Sequence, residues 1–445
     1  MTILRDDFIW GASTAGHQIE GDNVGADFWA LEHAPAGRMP EKSGSACDSF
    51  HRYREDIRLA AEGGLRAYRF GIEWARIEPA DGEFSRAALL HYRDMIDACH
   101  EYGLEPIITL HHFTSPLWFT LGGGITRNDA PERFAAYVRY VSEVLHDVRW
   151  IITINEPNIL NLMSGMTAII GKTPEELQEL AARAAGAVED NGGEAAGAGE
   201  ADARDGAADD AGTADQAGPA ATTERMAALP APNLDLAERI IAMHAAARKV
   251  LREALPQAMI GWAPAAQAFT PTPGNEEVWK TVFHQWEGVY YEASAEDDFI
   301  GVQSYTSQPV DANGPVPHPD SPDNTLTGWA YRPDALAINL RRLWQLYRKP
   351  MLVTENGIAT ADDTRRIAYT TEALRGLIRA VADGADVRGY CHWSLLDNYE
   401  WGRWEPTFGL IAVDREHDFK RTPKPSLAWL GRIAAENAVS LEPTT

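Results

Sequence analysis

Thr153-Ile154-Asn155-Glu156-Pro157 and Val353-Thr354-Glu355-Asn356-Gly357 decide the reading of this chain. Each is a β-branched apolar run that breaks off at a glutamate beside an asparagine. An ionised carboxylate is seldom buried without a partner, so a glutamate that ends a strand serves no packing purpose of its own. One such ending is also what an ordinary loop acid looks like. Two of them, from distant strands, form a candidate acid and base pair if the fold brings the strand ends together.

Working outward, six more apolar or β-branched runs join these two. The expected strands are Phe8 to Thr14, Ala67 to Trp74, Pro106 to His112, Trp150 to Asn155, Met259 to Pro264, Phe299 to Tyr305, Met351 to Thr354 and Val387 to Ser394. Helical spacing of apolar residues separates most of them, over Arg86 to Glu101, Pro131 to Leu145, Leu236 to Leu255, Pro333 to Tyr347 and Thr370 to Ala382. Strand and helix alternating about eight times implies an α/β fold with parallel strands. A single (β/α)8 TIM barrel, spanning residues 1–445 as one catalytic domain, is its most economical closure. The rival, an open doubly wound sheet, would want a glycine-rich phosphate turn after an early strand, and the sequence has none.

Composition narrows the function. A formal net charge of −25 excludes a nucleic-acid partner, whose phosphates demand a basic stripe. The 14 tryptophans suit a pocket that stacks on apolar ring faces. Cys47, Cys99 and Cys391 have no metal-ligand spacing, and their odd number points to buried, reduced thiols in a cytoplasmic protein. Arg5, Asp6 and Asp7 stand where a secretory signal would be apolar, and no run reaches the roughly 18 apolar residues of a membrane helix. Residues 184–223 are almost entirely Ala, Gly, Asp and Glu. They are expected to form a disordered, low-complexity acidic insertion between strands 4 and 5, because so little apolar surface cannot offset the entropy of ordering.

In a barrel, the ends of strands 4 and 7 share one face, so Glu156 and Glu355 can converge on one ligand. Two carboxyls of unequal acidity suffice for glycosidic bond cleavage, one protonating the departing oxygen and the other attacking or stabilising the anomeric carbon. Arg69, within Tyr68-Arg69-Phe70, is the natural cation to keep one of them ionised. A buried pair that merely ties strands together is the competing account of that arginine.

Several further motifs carry a resemblance. Phe8-Ile9-Trp10-Gly11-Ala12-Ser13-Thr14-Ala15 precedes Gln18-Ile19-Glu20-Gly21, and Ala46-Cys47-Asp48 leads into His51-Arg52-Tyr53. His111-His112-Phe113 sits on the third strand. Trp393-Ser394-Leu395-Leu396-Asp397-Asn398-Tyr399-Glu400-Trp401 comes before Phe408-Gly409-Leu410. With the two glutamate motifs, the chain resembles glycoside hydrolase family 1, the retaining β-glucosidase and β-galactosidase family, everywhere outside the acidic insertion. That resemblance implies Glu156 as acid/base and Glu355 as the nucleophile of a covalent glycosyl-enzyme. It implies that Gln18, His112, Asn155, Glu400 and Trp401 bond sugar hydroxyls, that Trp393 forms a hydrophobic floor, and that Tyr305 orients the nucleophile. Taken alone, His112 reads equally as a satisfied core histidine, Trp393 as barrel packing, and Trp329 as a surface aromatic instead of a leaving-group wall.

The expected activity is hydrolysis of terminal β-D-glucosyl residues, with β-D-galactosyl or β-D-fucosyl substrates also in range. The expected partner is a small β-glucoside or short oligosaccharide; no metal or organic cofactor is called for, since proton transfer and carboxylate attack need none. Transglycosylation through the same intermediate and a non-catalytic sugar-binding scaffold are the alternatives. Relatives acting on 6-phosphorylated sugars replace the acid at Glu400 and add a lysine and a serine, so its presence implies an unphosphorylated substrate. Plant-type thioglucosidases lack the acid at Glu156. Three departures from the family pattern, His17 for an aromatic, Gln303 for asparagine, and Thr114-Ser115 for Asp-Leu, bear on aglycone and sugar preference.

Overall fold

A computed structural model describes residues 4–34, 39–167, 170 and 232–438. All eight expected strands are present: β1 (Ile9–Ser13), β2 (Ala67–Gly71), β3 (Glu105–Thr109), β4 (Trp150–Asn155), β5 (Met259–Ala263), β6 (Phe299–Gln303), β7 (Met351–Asn356) and β8 (Val387–Trp393). They are parallel and close into a barrel in the order β1-β8-β7-β6-β5-β4-β3-β2. The acidic stretch 184–223 lies outside the described residues.

Helices form the outer layer: α1 (Ser49–Glu62), α2 (Arg86–Glu101), α3 (Ala130–Ser142), α4 (Leu234–Ala254), α5 (Glu276–Phe283), α6 (Ala335–Tyr347), α7 (Asp363–Ala382) and α8 (Pro425–Glu436). The α2 start is set by Ser85, whose hydroxyl accepts from Ala88 N, and the α4 start by Asn233, whose amide oxygen accepts from Leu236 N. Such caps contribute about 1 kcal/mol each. In α4, Leu236, Ile240, Met243, Ala247 and Leu251 recur at helical spacing and are all buried, facing α3 and the barrel wall. Burying each large aliphatic side chain stabilises the fold by about 1.5–3 kcal/mol.

The barrel interior holds its own apolar cluster, built from Ala67, Ile107, Trp150, Ile152, Ala263, Phe299, Leu352 and Cys391. It plugs the middle of the barrel, so a ligand can reach the polar side chains only at the strand ends. Cys47, Cys99 and Cys391 are all free and buried. No helix among the described residues is long and apolar enough to cross a membrane.

Boundaries differ where polar residues carry the ladder or apolar ones leave it. β2 stops at Gly71, and Trp74 instead opens a short helix, Trp74–Ile77. β7 continues past Thr354 to Asn356, with a register shift between Val353 and Glu355, so Glu355 is held inside the strand. Helices α1, α5 and α8 were not legible in the sequence. Most of the exposed face of α1 is charged, and its burial includes Asp56, which is satisfied by Arg421 at 2.7 Å. Asn161 and Asn233 exchange two hydrogen bonds, so the helix Pro157–Thr167 that follows β4 meets the start of α4.

Candidate active site

The C-terminal ends of the strands, the catalytic face of such barrels, surround a cavity of about 270 Å³. Its walls include His112 from beyond β3, Glu156 at the end of β4, Tyr305 beyond β6, Glu355 on β7, and Trp393 and Glu400 on and after β8. Trp329 and Trp401 complete the aromatic lining. Trp329 is half-buried and leans on Tyr305, with ring centroids 5.6 Å apart; it is therefore part of the wall and not a stray surface aromatic.

Three non-glycine residues on this wall, Phe113 (φ 68°), Glu156 (φ 42°) and Trp401 (φ 48°), have left-handed backbone conformations. Such conformations cost of order 1–3 kcal/mol each and concentrate at functional sites. At Glu156 the turn occurs where its N–H still bonds Ala263 O on β5 at 2.8 Å and its carbonyl already accepts from Leu160 N. The strand thus converts to the helix Pro157–Thr167 at the carboxylate itself. Gly357 meets a different demand: a Cβ there would sit 2.0 Å from Trp393 O, so the chain leaving β7 can pass under β8 only without a side chain.

Glu355 is held by three donors. Arg69 Nη1 (2.6 Å) and Gln303 Nε2 (2.8 Å) donate to its Oε1, and the Tyr305 hydroxyl donates to Oε2 at 2.5 Å. Asn155 Oδ1 accepts from Arg69 Nη2 at 2.5 Å and from Gln303 Nε2 at 2.6 Å. Its Nδ2 then meets His112 Nε2 at 3.2 Å, so that nitrogen is the acceptor and the ring proton sits on Nδ1, which has no partner among the described residues. Burial, reinforced by Arg69, pushes the His112 pKa well down and keeps the ring neutral. Glu156, by contrast, has no side-chain hydrogen bond among the described residues.

The two carboxyls therefore differ in acidity. Burial raises both. Arg69 and Tyr305 oppose the rise at Glu355, whereas the charge of Glu355 adds to it at Glu156, which is driven well above the ordinary carboxyl range. Burial also lifts Glu400 to about 8, against a hydrogen bond from Trp393 Nε1 at 3.2 Å. Tyr305 is pushed well up by burial and by Glu355, so it stays a donor.

Two of the expected sugar contacts lie behind the wall instead of on it. Gln18 is fully buried, its Nε2 donating to Asn398 Oδ1 (3.0 Å) and Tyr399 O (2.8 Å), while its Oε1 is unpartnered among the described residues. Asn155 is fully buried in the network just described. Arg69 likewise reaches the cavity only through Glu355. Sequence reasoning gave Gln303 no role beyond a departure from pattern; its position opposite Glu355 depends on the pairing of β6 with β7, which no local signal carries. Among the described residues, no cluster of His, Cys, Asp and Glu could hold a metal ion.

A model described as glycosyl hydrolase family 1 matches residues 1–184 and 288–439. The chain belongs to glycosyl hydrolase family 1. The family 1 match omits 185–287, yet β5 from that stretch takes its place between β4 and β6 in the barrel. Among curated family 1 relatives, the thermostable beta-glucosidase B of Thermobispora bispora is 30% identical over 98% of this chain and 91% of its own length. The 6-phospho-beta-glucosidase AscB of Escherichia coli is 26% identical over 99% of this chain and 100% of its own. Of solved structures, the beta-glycosidase BGL167 superimposes with a TM-score of 0.80 at 38% identity, covering 99% of both chains.

Proposed function

We propose that this chain is a retaining exo-β-glucosidase, with Glu156 as acid/base and Glu355 as nucleophile. The observation that carries the reading is the unequal environment of two carboxyls on one sugar-sized cavity. Glu355 is ion-paired to Arg69 and poised to attack; Glu156 is half-buried, has no side-chain hydrogen bond among the described residues and retains a proton to give.

In the first step Glu355 bonds the anomeric carbon as Glu156 passes its proton to the departing oxygen. In the second, Glu156 takes a proton from water, the water oxygen bonds the anomeric carbon, and Glu355 leaves as carboxylate. Two inversions retain the β configuration. Trp393 and Trp401 offer apolar faces to the sugar ring, while Glu400 and His112 offer hydrogen-bond partners to its hydroxyls, the combination such sites use.

An unphosphorylated glycon is favoured although relatives of both kinds match. No lysine or arginine is among the described residues lining the cavity, so a phosphate would be buried beside three carboxyls without a counter-charge. Relatives named as β-glucosidases support glucose as the sugar.

The test is a kinetic panel of nitrophenyl β-glucoside, galactoside, fucoside and mannoside, with cellobiose, on wild type and Glu355→Ala. Glucoside turnover by wild type, loss of at least about 1,000-fold in the variant, and β-glucose as first product by NMR are expected. Equal, negligible rates in both proteins would leave a sugar-binding scaffold.

A further inference from the structure

Arg69 and Gln303 grip the same two oxygens from opposite partners in the barrel. The Arg69 fork spans Glu355 Oε1 (2.6 Å) and Asn155 Oδ1 (2.5 Å), and Gln303 Nε2 spans the same pair at 2.8 and 2.6 Å. Both contacts of Gln303 are to acceptors, so its amide NH2, with two protons, must face them; the orientation is fixed by chemistry. Gln303 Oε1 points elsewhere and is unpartnered among the described residues.

The backbone under this side chain is locked. Gln303 pairs with Glu355 across β6 and β7, just beyond the register shift, and its carbonyl accepts from Ala266 N at 2.8 Å. The level of the amide relative to the carboxylate is therefore set by the sheet.

Resting on the nucleophile role given to Glu355, we propose that Gln303 is a positioning residue: its NH2 closes a ring with Glu355, Asn155 and Arg69 that holds the attacking carboxylate ionised and oriented. Oε1 takes the two donors of this ring, and Oε2 takes the Tyr305 hydroxyl, so both carboxylate oxygens are fixed in place. Asparagine, usual in the resembling family, is one methylene shorter. The longer amide of Gln303 spans both acceptors from this strand position, and Gln303→Asn removes that extra methylene.

The measurement is the pH dependence of kcat/KM on nitrophenyl β-glucoside for Gln303→Leu and Gln303→Asn, with thermal melts to show folding. Labelling of Glu355 by a 2-deoxy-2-fluoro-β-glucoside, read by mass spectrometry, accompanies it. Facing the Glu355 carboxyl are Arg69, Tyr305, Glu156, Glu400 and the Cys391 thiol, all retained in both variants. Losing a donor to the carboxylate raises its pKa, so the acidic limb should move up by about one pH unit and kcat/KM should fall about 10- to 100-fold. Labelling should slow in parallel. If Gln303→Leu does not fold, the Asn variant decides by the same limb. An unmoved acidic limb in the folded variants overturns the inference; failure of wild type to label at Glu355 overturns the proposed function instead.

Discussion

Arg69 Nη1 meets Glu355 Oε1 at 2.6 Å, with the guanidinium wholly shielded from solvent. A buried pair broken on one side leaves an uncompensated charge, at a cost of about 3–5 kcal/mol. Arg69→Met should therefore lower stability by about 3 kcal/mol in urea unfolding, at the low end because Glu355 can take up a proton. With its partner gone, Glu355 stays protonated to higher pH, and kcat/KM at neutral pH should drop at least about 100-fold. Wild-type turnover in the variant would show that the pair only ties β2 to β7.

The acidities predict a bell-shaped profile. Turnover needs Glu355 ionised and Glu156 protonated, so kcat/KM rises with pH through the lower, Glu355-dominated value and falls through the higher, Glu156-dominated one. Glu156→Gln should abolish the basic limb and slow substrates with poor leaving groups by about 100-fold or more, while dinitrophenyl glucosides, which leave without a proton, retain most of their first-step rate. Burst kinetics separate the steps. A basic limb surviving in Glu156→Gln would assign that ionisation to another group.

Glu287 gives a stability test away from the chemistry. It lies in the π turn His284–Gly288 after α5, fully buried, and one oxygen accepts from the N–H of the cavity residue Gln267 at 2.9 Å. Burial pushes its carboxyl up to about 7, from an ordinary value of 4.5. Below 4.5 the group is protonated folded or unfolded. Between 4.5 and 7 the unfolded chain releases a proton that the fold retains, so stability falls as pH rises, by up to about 3 kcal/mol above 7. Glu287→Gln keeps an acceptor for Gln267 and should be stabilised relative to wild type at pH 8 more than at pH 5. Equal differences at the two pH values in urea unfolding would refute the assignment.

Phosphorylation of the glycon should be strongly disfavoured. A phosphate facing Glu400 without a lining cation should reduce kcat/KM at least about 100-fold for nitrophenyl 6-phospho-β-glucoside against the unphosphorylated glucoside. Comparable rates would place a cation within reach of the cavity.

Much was legible in the sequence because its signals are local. Apolar and β-branched runs marked β1 to β8, and the ends of β4 and β7 marked Glu156 and Glu355, since a strand-end carboxylate stands out against an apolar run. The charged face of α1 and the short, π-interrupted α5 blurred the helical period, and both escaped, as did α8.

What the sequence by itself determined is the barrel, the two glutamates and the family, each written in short contiguous motifs. Only the tertiary structure decided that Gln18 and Asn155 stand behind the wall, that Trp329 stands in it, and that Gln303 grips Glu355. The reason is physical: residues 69, 155, 303 and 355 meet through strand register and barrel closure, and a shift of one residue in the β6–β7 ladder would turn Gln303 away from Glu355.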